Sequence, residues 1–598
     1  MRRAPLCALL LFAACGELDP PRVARLELRR PDERIDAKED VRRSRAESSR
    51  MAALAFDAWT VPLGARREVR APEGHGGRAR FEVGLDLSEA GGFDPATRVR
   101  LSAEVAGGGS RAERVATAAE WSALLGEVAL ELELPSGEVP VVLAAEVEGV
   151  APSLAALARG AFGIPLSWRQ RAAPRRDAPN VLILSIDTLR ADRLGCYGHA
   201  RGTSPNLDAL AARGVLFERA YSSAPWTLPS YASLFTALLP ADHRAGVVTE
   251  REDRFGTDEV APKKTTELLR PDVRTLAEAA REAGWWTAGF YCNPYIGAGA
   301  GVDRGFDRWE RYQHGAKAGV DRARRWIADH GARQWFVFLH LIDPHMPYAP
   351  PAPYDRLHAG VSVDELPDWP PTLSALRAGS DEATRKLCSD LYDGEVAYAD
   401  AQLGRLLDDL RASGELDNTI VVLHSDHGEE FWEHGGCDHG HAMHEELLRV
   451  PFVLSWPGRV EPRRVQARVR TLDLYPTLAE LLSLPPPHPL AEGRSLAPLF
   501  ASDGPDREVV AEAILWGERE QKALLLDARK YVASGSGGSA FELLPGGLAP
   551  LDPALCAALR QALLERHRRT QAAERPRGVL QLDQAARNEL ARIGYAGD

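Results

Sequence analysis

Four stretches of this chain are apolar almost throughout, and each runs straight into a polar residue. They are "NVLILSID" from Asn180, "WTAGFYCN" from Trp286, "WFVFLHLID" from Trp335 and "TIVVLHSD" from Thr419. Runs of this length without polar alternation suit strands buried on both faces, the condition of a parallel sheet covered by helices. Helix-patterned segments separate them, among them "SPNLDALAARG", "LAEAAREAG" and "VAYADAQLGRLLDDLRASG". The alternation predicts an α/β fold, doubly wound, with a mostly parallel central sheet flanked by helices.

In such a sheet, ligands bind outside the carboxyl ends of the strands. The four runs deliver Asp187, Asn293, Asp343 with His345, and Asp426 with His427. One acidic residue at a strand end is commonly a turn former or a helix cap. Four ends presenting Asp, Asn and His together predict one shared site. Asp187, Asp426 and His427 combine carboxylate oxygen with imidazole nitrogen. That set suits one divalent ion, Mn²⁺ or Zn²⁺ in preference to Ca²⁺, which takes more oxygens. Such an ion polarises an ester oxygen and lowers the pKa of a nearby hydroxyl. A second His-rich stretch, "EHGGCDHGHAMH", carries His434, His439, His441 and His444, and only His439 is expected to be functional. A second ion held by Asp343, His345 and His439 is disfavoured.

"SSAPWTLPSYASLFTALLP" from Ser222 reads as a loop entering a helix, with Pro229 in the first turn. A helix N-terminus directs unpaired N–H groups and partial positive charge at whatever lies ahead of it. Thr227 there is either an N-cap or a nucleophile held against an anionic ester. The residues alone leave both readings open.

At 598 residues the chain exceeds what one hydrophobic core supports, so several domains are expected. A net charge of -12 argues against nucleic acid as a partner. Residues 1–15, "MRRAPLCALLLFAAC", join two arginines to a short apolar run and small residues. That is an export signal, too short to span a bilayer. Its "FAAC" resembles the lipobox of bacterial lipoproteins, which implies export and membrane attachment through a lipidated Cys15 only. Residues 16–54 read as a charged tether and 55–165 as an antiparallel β domain, from period-2 runs such as "VRLSAEV" and "VALELEL". A Pro- and Arg-rich linker, 166–179, leads to the main domain, 180–505, and a smaller C-terminal α+β subdomain, 506–598. Seven cysteines show no CxxC or paired spacing, so neither a zinc framework nor a disulfide scaffold is expected.

From about Asn180 onward the chain resembles the sulfatase branch of the alkaline phosphatase superfamily. The resemblance is carried by "NVLILSIDTLRADRLGCYG", "PHMPYAPP", "VVLHSDHGE", "HEELLRVPFVL" and "TLDLYPTLAELL". It implies an alkaline-phosphatase-like fold and a hydrolase of anionic esters. It assigns Asp187, Asp426 and His427 to the metal, His345 and His439 to the transferred or leaving group, and Thr227 to the nucleophile. Asn293 is expected to contact the transferred group on its strand-end position alone. The spacing of Asp343, Pro344 and His345 is tighter than in two-metal relatives. Sulfatases use Cys or Ser in a Cys-x-Pro-x-Arg context, oxidised to formylglycine; Thr227 and Tyr231 replace the Cys and the Arg here, so that modification is not expected. Thr188 stands where many sulfatases have a second metal-binding Asp, and Ala237 where a Gly is usual.

A sulfated threonine lacks the exit open to a formylglycine hydrate and must be displaced by water; a phosphothreonine has the same limitation, yet metal-activated water can attack phosphorus. Phosphate mono- or diesters, or phosphonates, are therefore the expected substrates, small or linked to a glycan or lipid. The alternatives are sulfate ester hydrolysis, extracytoplasmic phosphotransfer to an acceptor, and a non-catalytic binding protein that kept the fold.

Overall fold

The computed structural model describes eight strands between Phe56 and Pro165. It also describes residues 178–571, interrupted at 247–265, 314, 332, 514–519, 535–536, 545–546 and 551. The export signal, the tether and the linker as far as residue 177 lie outside the described residues. Two compact units result, one containing the eight strands and the other containing every site residue named above. No helix among the described residues is long and apolar enough to cross a membrane.

In the first unit the eight strands form two four-stranded sheets, antiparallel throughout. One orders Phe56–Pro62, Arg159–Pro165, Gly77–Asp86 and Val128–Leu134. The other orders Ala65–Gly74, Gly137–Glu148, Arg98–Val105 and Arg111–Thr117. Leu101, Ala103 and Val105, two residues apart, are all buried, as the period-2 pattern requires.

A nine-stranded sheet forms the heart of the second unit. Its centre is Asn180–Ile186, flanked by Trp335–Leu341 and Thr419–His424, both parallel to it. Farther out, Phe452–Ser455 pairs antiparallel with Thr419–His424, and Val215–Tyr221 runs parallel to Arg463–Arg470. All three central strands are buried along their whole length. Each fully buried Val, Leu, Ile or Phe contributes about 1.5–3 kcal/mol relative to exposure, which explains why polar residues wait for the strand ends. The helix Glu382–Ser413 begins at Asp381, whose side chain accepts the Thr384 N–H, and stops at Gly414 in the left-handed conformation.

Beyond the main sheet, five strands from Val509 to Pro550 make an antiparallel meander in sequence order, followed by the helix Pro553–Gln571. Val510, Leu524, Tyr531, Leu559 and Leu563 share a core with Leu239 and Leu472. The meander therefore shares a core with the remainder of the unit that holds the site.

Candidate active site

Parallel register puts the metal-binding candidates side by side. Ser185 pairs with His424, and each strand leaves the sheet at the same level, two residues before Asp187 and Asp426 respectively. Ser425 stitches the two exits together: its hydroxyl lies 2.6 Å from the carbonyls of Ile186 and His427 and accepts the Leu189 N–H at 3.0 Å. Asp187, Asp426 and His427 each offer a ligand atom within 4.8 Å of the others, all buried. His427 Nε2 is 3.4 Å from Asp187 Oδ1 and 3.4 Å from Asp426 Oδ2. Its Nδ1 lies 2.9 Å from the Gly428 carbonyl, which fixes the proton on Nδ1 and leaves Nε2 as a lone-pair donor. Only glycine fits at position 428, because a Cβ there would lie 1.9 Å from the Glu446 carbonyl oxygen.

These residues fit a divalent cation. Asp187 Oδ1 and both oxygens of Asp426 are buried and accept no hydrogen bond, a costly condition for two adjacent carboxylates. Burial and the neighbouring Asp187 push the Asp426 carboxyl well above the usual range. Burial also works against an ionised Asp187, but the hydrogen bond with His340 and the nearby imidazoles outweigh it and hold that carboxyl low. His427 is driven down to about 3 by burial and by repulsion from His439, so its ring is neutral. With Asp187 held low, Asp426 pushed up by its neighbour and the His427 ring neutral, an entering cation relieves the repulsion between the two carboxyls and displaces the proton that Asp426 favours.

Thr227 faces this set. It is the first residue of the helix Thr227–Thr236; the cap position belongs to Trp226, and no side chain makes a cap bond there. The capping reading of Thr227 therefore fails. Its fully buried hydroxyl lies 3.4 Å from His427 Nε2 and accepts the Asn293 side-chain N–H at 3.1 Å. Asn293 caps the short helix Pro294–Ile296, where its Oδ1 accepts the Tyr295 N–H at 3.0 Å. That bond turns Nδ2 toward Thr227 and toward Asp187 Oδ2, 2.9 Å away. Asn293, expected to contact the transferred group, links the threonine to the first carboxylate.

His345 and His439 complete the chamber. The His439 ring lies 4.4 Å from the His427 ring and 4.9 Å from the His345 ring, centroid to centroid. His439 Nδ1 sits between Glu429 Oε1 at 3.1 Å and Asp438 Oδ1 at 3.0 Å. Burial disfavours the charged ring, but Asp438 and Glu429 outweigh it and raise His439 well above its ordinary value. Asp343 belongs to neither of the two metal-ligand groups among the described residues, Asp187–Asp426–His427 and Glu429–Asp438–His439.

The comparisons with known proteins bear on the same residues. The family model described as Sulfatase matches residues 179–484, slightly more than half of the chain. The chain belongs to the sulfatase family. A sulfatase of Formosa agariphila is 26% identical over 373 residues, covering 52% of this chain and 70% of that protein. Human arylsulfatase A is 27% identical over 374 residues, covering 54% and 68%. In fold, the chain is similar to the phosphonate monoester hydrolase of Agrobacterium radiobacter, with TM-score 0.51 and 22% identity over 66% of this chain and 95% of that one. It is equally similar to a 2-O GAG sulfatase, with TM-score 0.52 and 22% identity over 69% and 96%. It is a sulfatase-family hydrolase acting on ester bonds, and its buried acidic and imidazole groups are of the kind that hold a divalent ion.

Set within this sulfatase-family frame, the departures have structural places. Tyr231 is fully buried one helical turn behind Thr227. Its hydroxyl lies 2.7 Å from Ser185 Oγ, and its ring meets His340 edge-on at 5.4 Å. It therefore supports the floor of the site and does not enter it. Thr188 has φ 57°, a left-handed conformation disfavoured for a β-branched residue, and its buried hydroxyl makes no hydrogen bond. Ala237 ends the Thr227 helix at φ 60°, the left-handed conformation that favours glycine.

Three further residues, not singled out from the sequence, hold the side chains of this set in place. His340 Nε2 lies 3.2 Å from Asp187 Oδ2 and orients that carboxylate. Glu429 and Asp438 hold His439. A lone His inside "WFVFLHL" and the acid following "SDHG" were the available signals.

Proposed function

We propose that this sulfatase-family hydrolase uses Thr227 as a covalent nucleophile on phosphate mono- or diesters or phosphonates, with one Mn²⁺ or Zn²⁺ held by Asp187, Asp426 and His427. One observation carries the reading: the Thr227 hydroxyl, at the start of a ten-residue helix, is 3.4 Å from His427 Nε2 and 3.1 Å from Asn293 Nδ2. When bound, the ion supplies Lewis acidity toward the ester and favours the ionised threonine.

The chain's own groups do the rest. The Asn293 N–H stabilises the Thr227 oxygen as it loses its proton and fixes its direction. The helix N-terminus adds partial positive charge, equivalent to about half an elementary charge, beside the anionic ester. Thr227, its proton released to solvent, attacks phosphorus, the bond from phosphorus to the leaving alcohol breaks, and that alcohol departs with a proton from imidazolium His439. His345 flanks the transferred group. Water then gives a proton to the now neutral His439 and displaces the Thr227 oxygen from phosphorus, which restores both groups. Neither a sulfated nor a phosphorylated threonine has the collapse route of a formylglycine hydrate, and the preference for phosphorus rests on the readier displacement by water at that centre. Sulfate ester hydrolysis is the second reading, favoured by the names of the curated relatives. Rates on an aryl phosphodiester, an aryl phosphonate and an aryl sulfate, each with Mn²⁺, Zn²⁺ or Ca²⁺, test the choice. A faster sulfate reaction would overturn it.

His439 must be protonated to act, and Asp438 helps to hold it so. In Asp438→Asn its pKa falls, so the alkaline limb of the pH dependence of kcat/KM should move to lower pH, with the acid limb unchanged. An unmoved alkaline limb would remove His439 from the acid role.

A further inference from the structure

The two oxygens of Asp187 are treated differently by the residues around them. Oδ2 accepts the Asn293 side-chain N–H at 2.9 Å and lies 3.2 Å from His340 Nε2. A carboxylate only accepts, so the His340 hydrogen sits on Nε2 and points at Asp187. Oδ1 is buried and accepts no hydrogen bond. A carboxylate oxygen has two lone pairs; two N–H donors therefore fill Oδ2, while those of Oδ1 stay open. Asn293 divides its amide between Asp187 and the Thr227 hydroxyl, 3.1 Å away. His340 gives its ring to Asp187 alone, because its Nδ1 is buried without a hydrogen-bond partner.

The sheet holds this imidazole in place. His340 pairs with Ser185 in the parallel register of Trp335–Leu341 with Asn180–Ile186, two residues before Asp187. Tyr312 donates its hydroxyl to the His340 carbonyl at 2.7 Å, which fixes the backbone there. The Tyr231 ring meets the imidazole edge-on at 5.4 Å, and the His340 side chain is fully buried. A buried ring nitrogen without a partner costs stability, a cost that an apolar ring of similar shape would not carry. What the imidazole adds over such a ring is its bond to Asp187.

We propose that His340 is a positioning residue that holds Asp187 as a one-oxygen ligand and thereby selects Zn²⁺ against Ca²⁺, a role that rests on the metal assignment of Asp187, Asp426 and His427. With Oδ2 filled, the three side chains offer Oδ1 of Asp187, both oxygens of Asp426 and Nε2 of His427. Few donors, one of them an imidazole, suit the tetrahedral preference of Zn²⁺. Ca²⁺ takes about six to eight oxygens and gains from carboxylates that give both of theirs. Without the His340 N–H, one lone pair of Oδ2 is released and Asp187 can offer two oxygens. The discrimination against Ca²⁺ then narrows.

The test is calorimetric titration of the chelator-stripped full chain with ZnCl₂ and with CaCl₂, where binding lost in Asp426→Ala defines the site. In His340→Phe, Zn²⁺ affinity at that site should fall about ten- to a hundredfold while Ca²⁺ affinity holds or rises, so the ratio of the two dissociation constants narrows at least about tenfold. His340→Gln, which returns an N–H donor, should keep the ratio near that of the wild type. Melting temperatures of the metal-free forms check that the variants fold, and His340→Leu carries the same prediction as His340→Phe. Equal weakening of both ions would make His340 a structural residue and overturn the proposal. So would a ratio in His340→Gln as narrow as in His340→Phe. Wild-type titrations matching those of Asp426→Ala would overturn the metal assignment itself, and the proposal with it. No outcome depends on whether Thr227 is the nucleophile.

Discussion

Thr227→Ala is expected to lower kcat/KM on an aryl phosphodiester by about four orders of magnitude, about 5.5 kcal/mol of barrier, while leaving the fold intact. The magnitude follows from the role. A covalent nucleophile divides one difficult displacement into two easier ones, and alanine removes the attacking atom from the chamber. The fold should survive because the helix start does not depend on a threonine cap: Trp226 occupies the cap position. Thr227→Ser keeps an alcohol within reach of Asn293 and should retain most of the rate. If alanine and wild type turned over at similar rates, the hydroxyl near His427 would be packing and nothing more.

Asp426→Ala should abolish Mn²⁺ binding and lower turnover by more than about hundredfold, since even the residues supporting a metal ligand are worth ten- to a hundredfold. In the wild type, Mn²⁺ at a hundred times its Kd should stabilise the protein by about 2.7 kcal/mol, and a thermal melt would read that gain. The variant should show none. Acidity enters through the raised Asp426 carboxyl. Its proton must leave when the ion enters, so Mn²⁺ affinity should fall as pH falls, about tenfold per pH unit while one proton is displaced. The metal-free protein behaves in the opposite sense. A carboxyl raised in the folded state contributes stability at low pH that is lost as pH rises through its folded value. The metal-free form should therefore lose stability toward alkaline pH, and the Mn²⁺-loaded form should not. Equal pH dependence of the two forms would contradict the assignment of Asp426.

The central strands were legible because burial on both faces writes an unbroken apolar run, and Asn180–Ile186, Trp335–Leu341 and Thr419–His424 stand where those runs are. Asp187, Asp426 and His427 were legible for the complementary reason, as polar residues admitted only where the strands end. The roles of neighbouring groups were not. His340 reaches Asp187 through the pairing of Trp335–Leu341 with Asn180–Ile186, which sets His340 beside Ser185. That register is non-local and leaves no mark in either segment. Asn293 was placed correctly at its strand end, but the direction of its amide depends on the turn at Pro294–Ile296. Thr227 was ambiguous for a similar reason: a threonine before a proline suits a cap as well as a nucleophile, and only the helix boundary separates the two. Glu429 and Asp438 lie on separate stretches of one loop, so the clamp on His439 exists only once the hairpin closes.

The most direct measurement is acid-quenched mass spectrometry of the enzyme during turnover of an aryl phosphodiester in Mn²⁺. A phosphoryl adduct on the peptide containing Thr227, formed and lost at rates matching turnover, is the predicted result. Steady turnover with that peptide unmodified, or an adduct on another residue, would contradict the account.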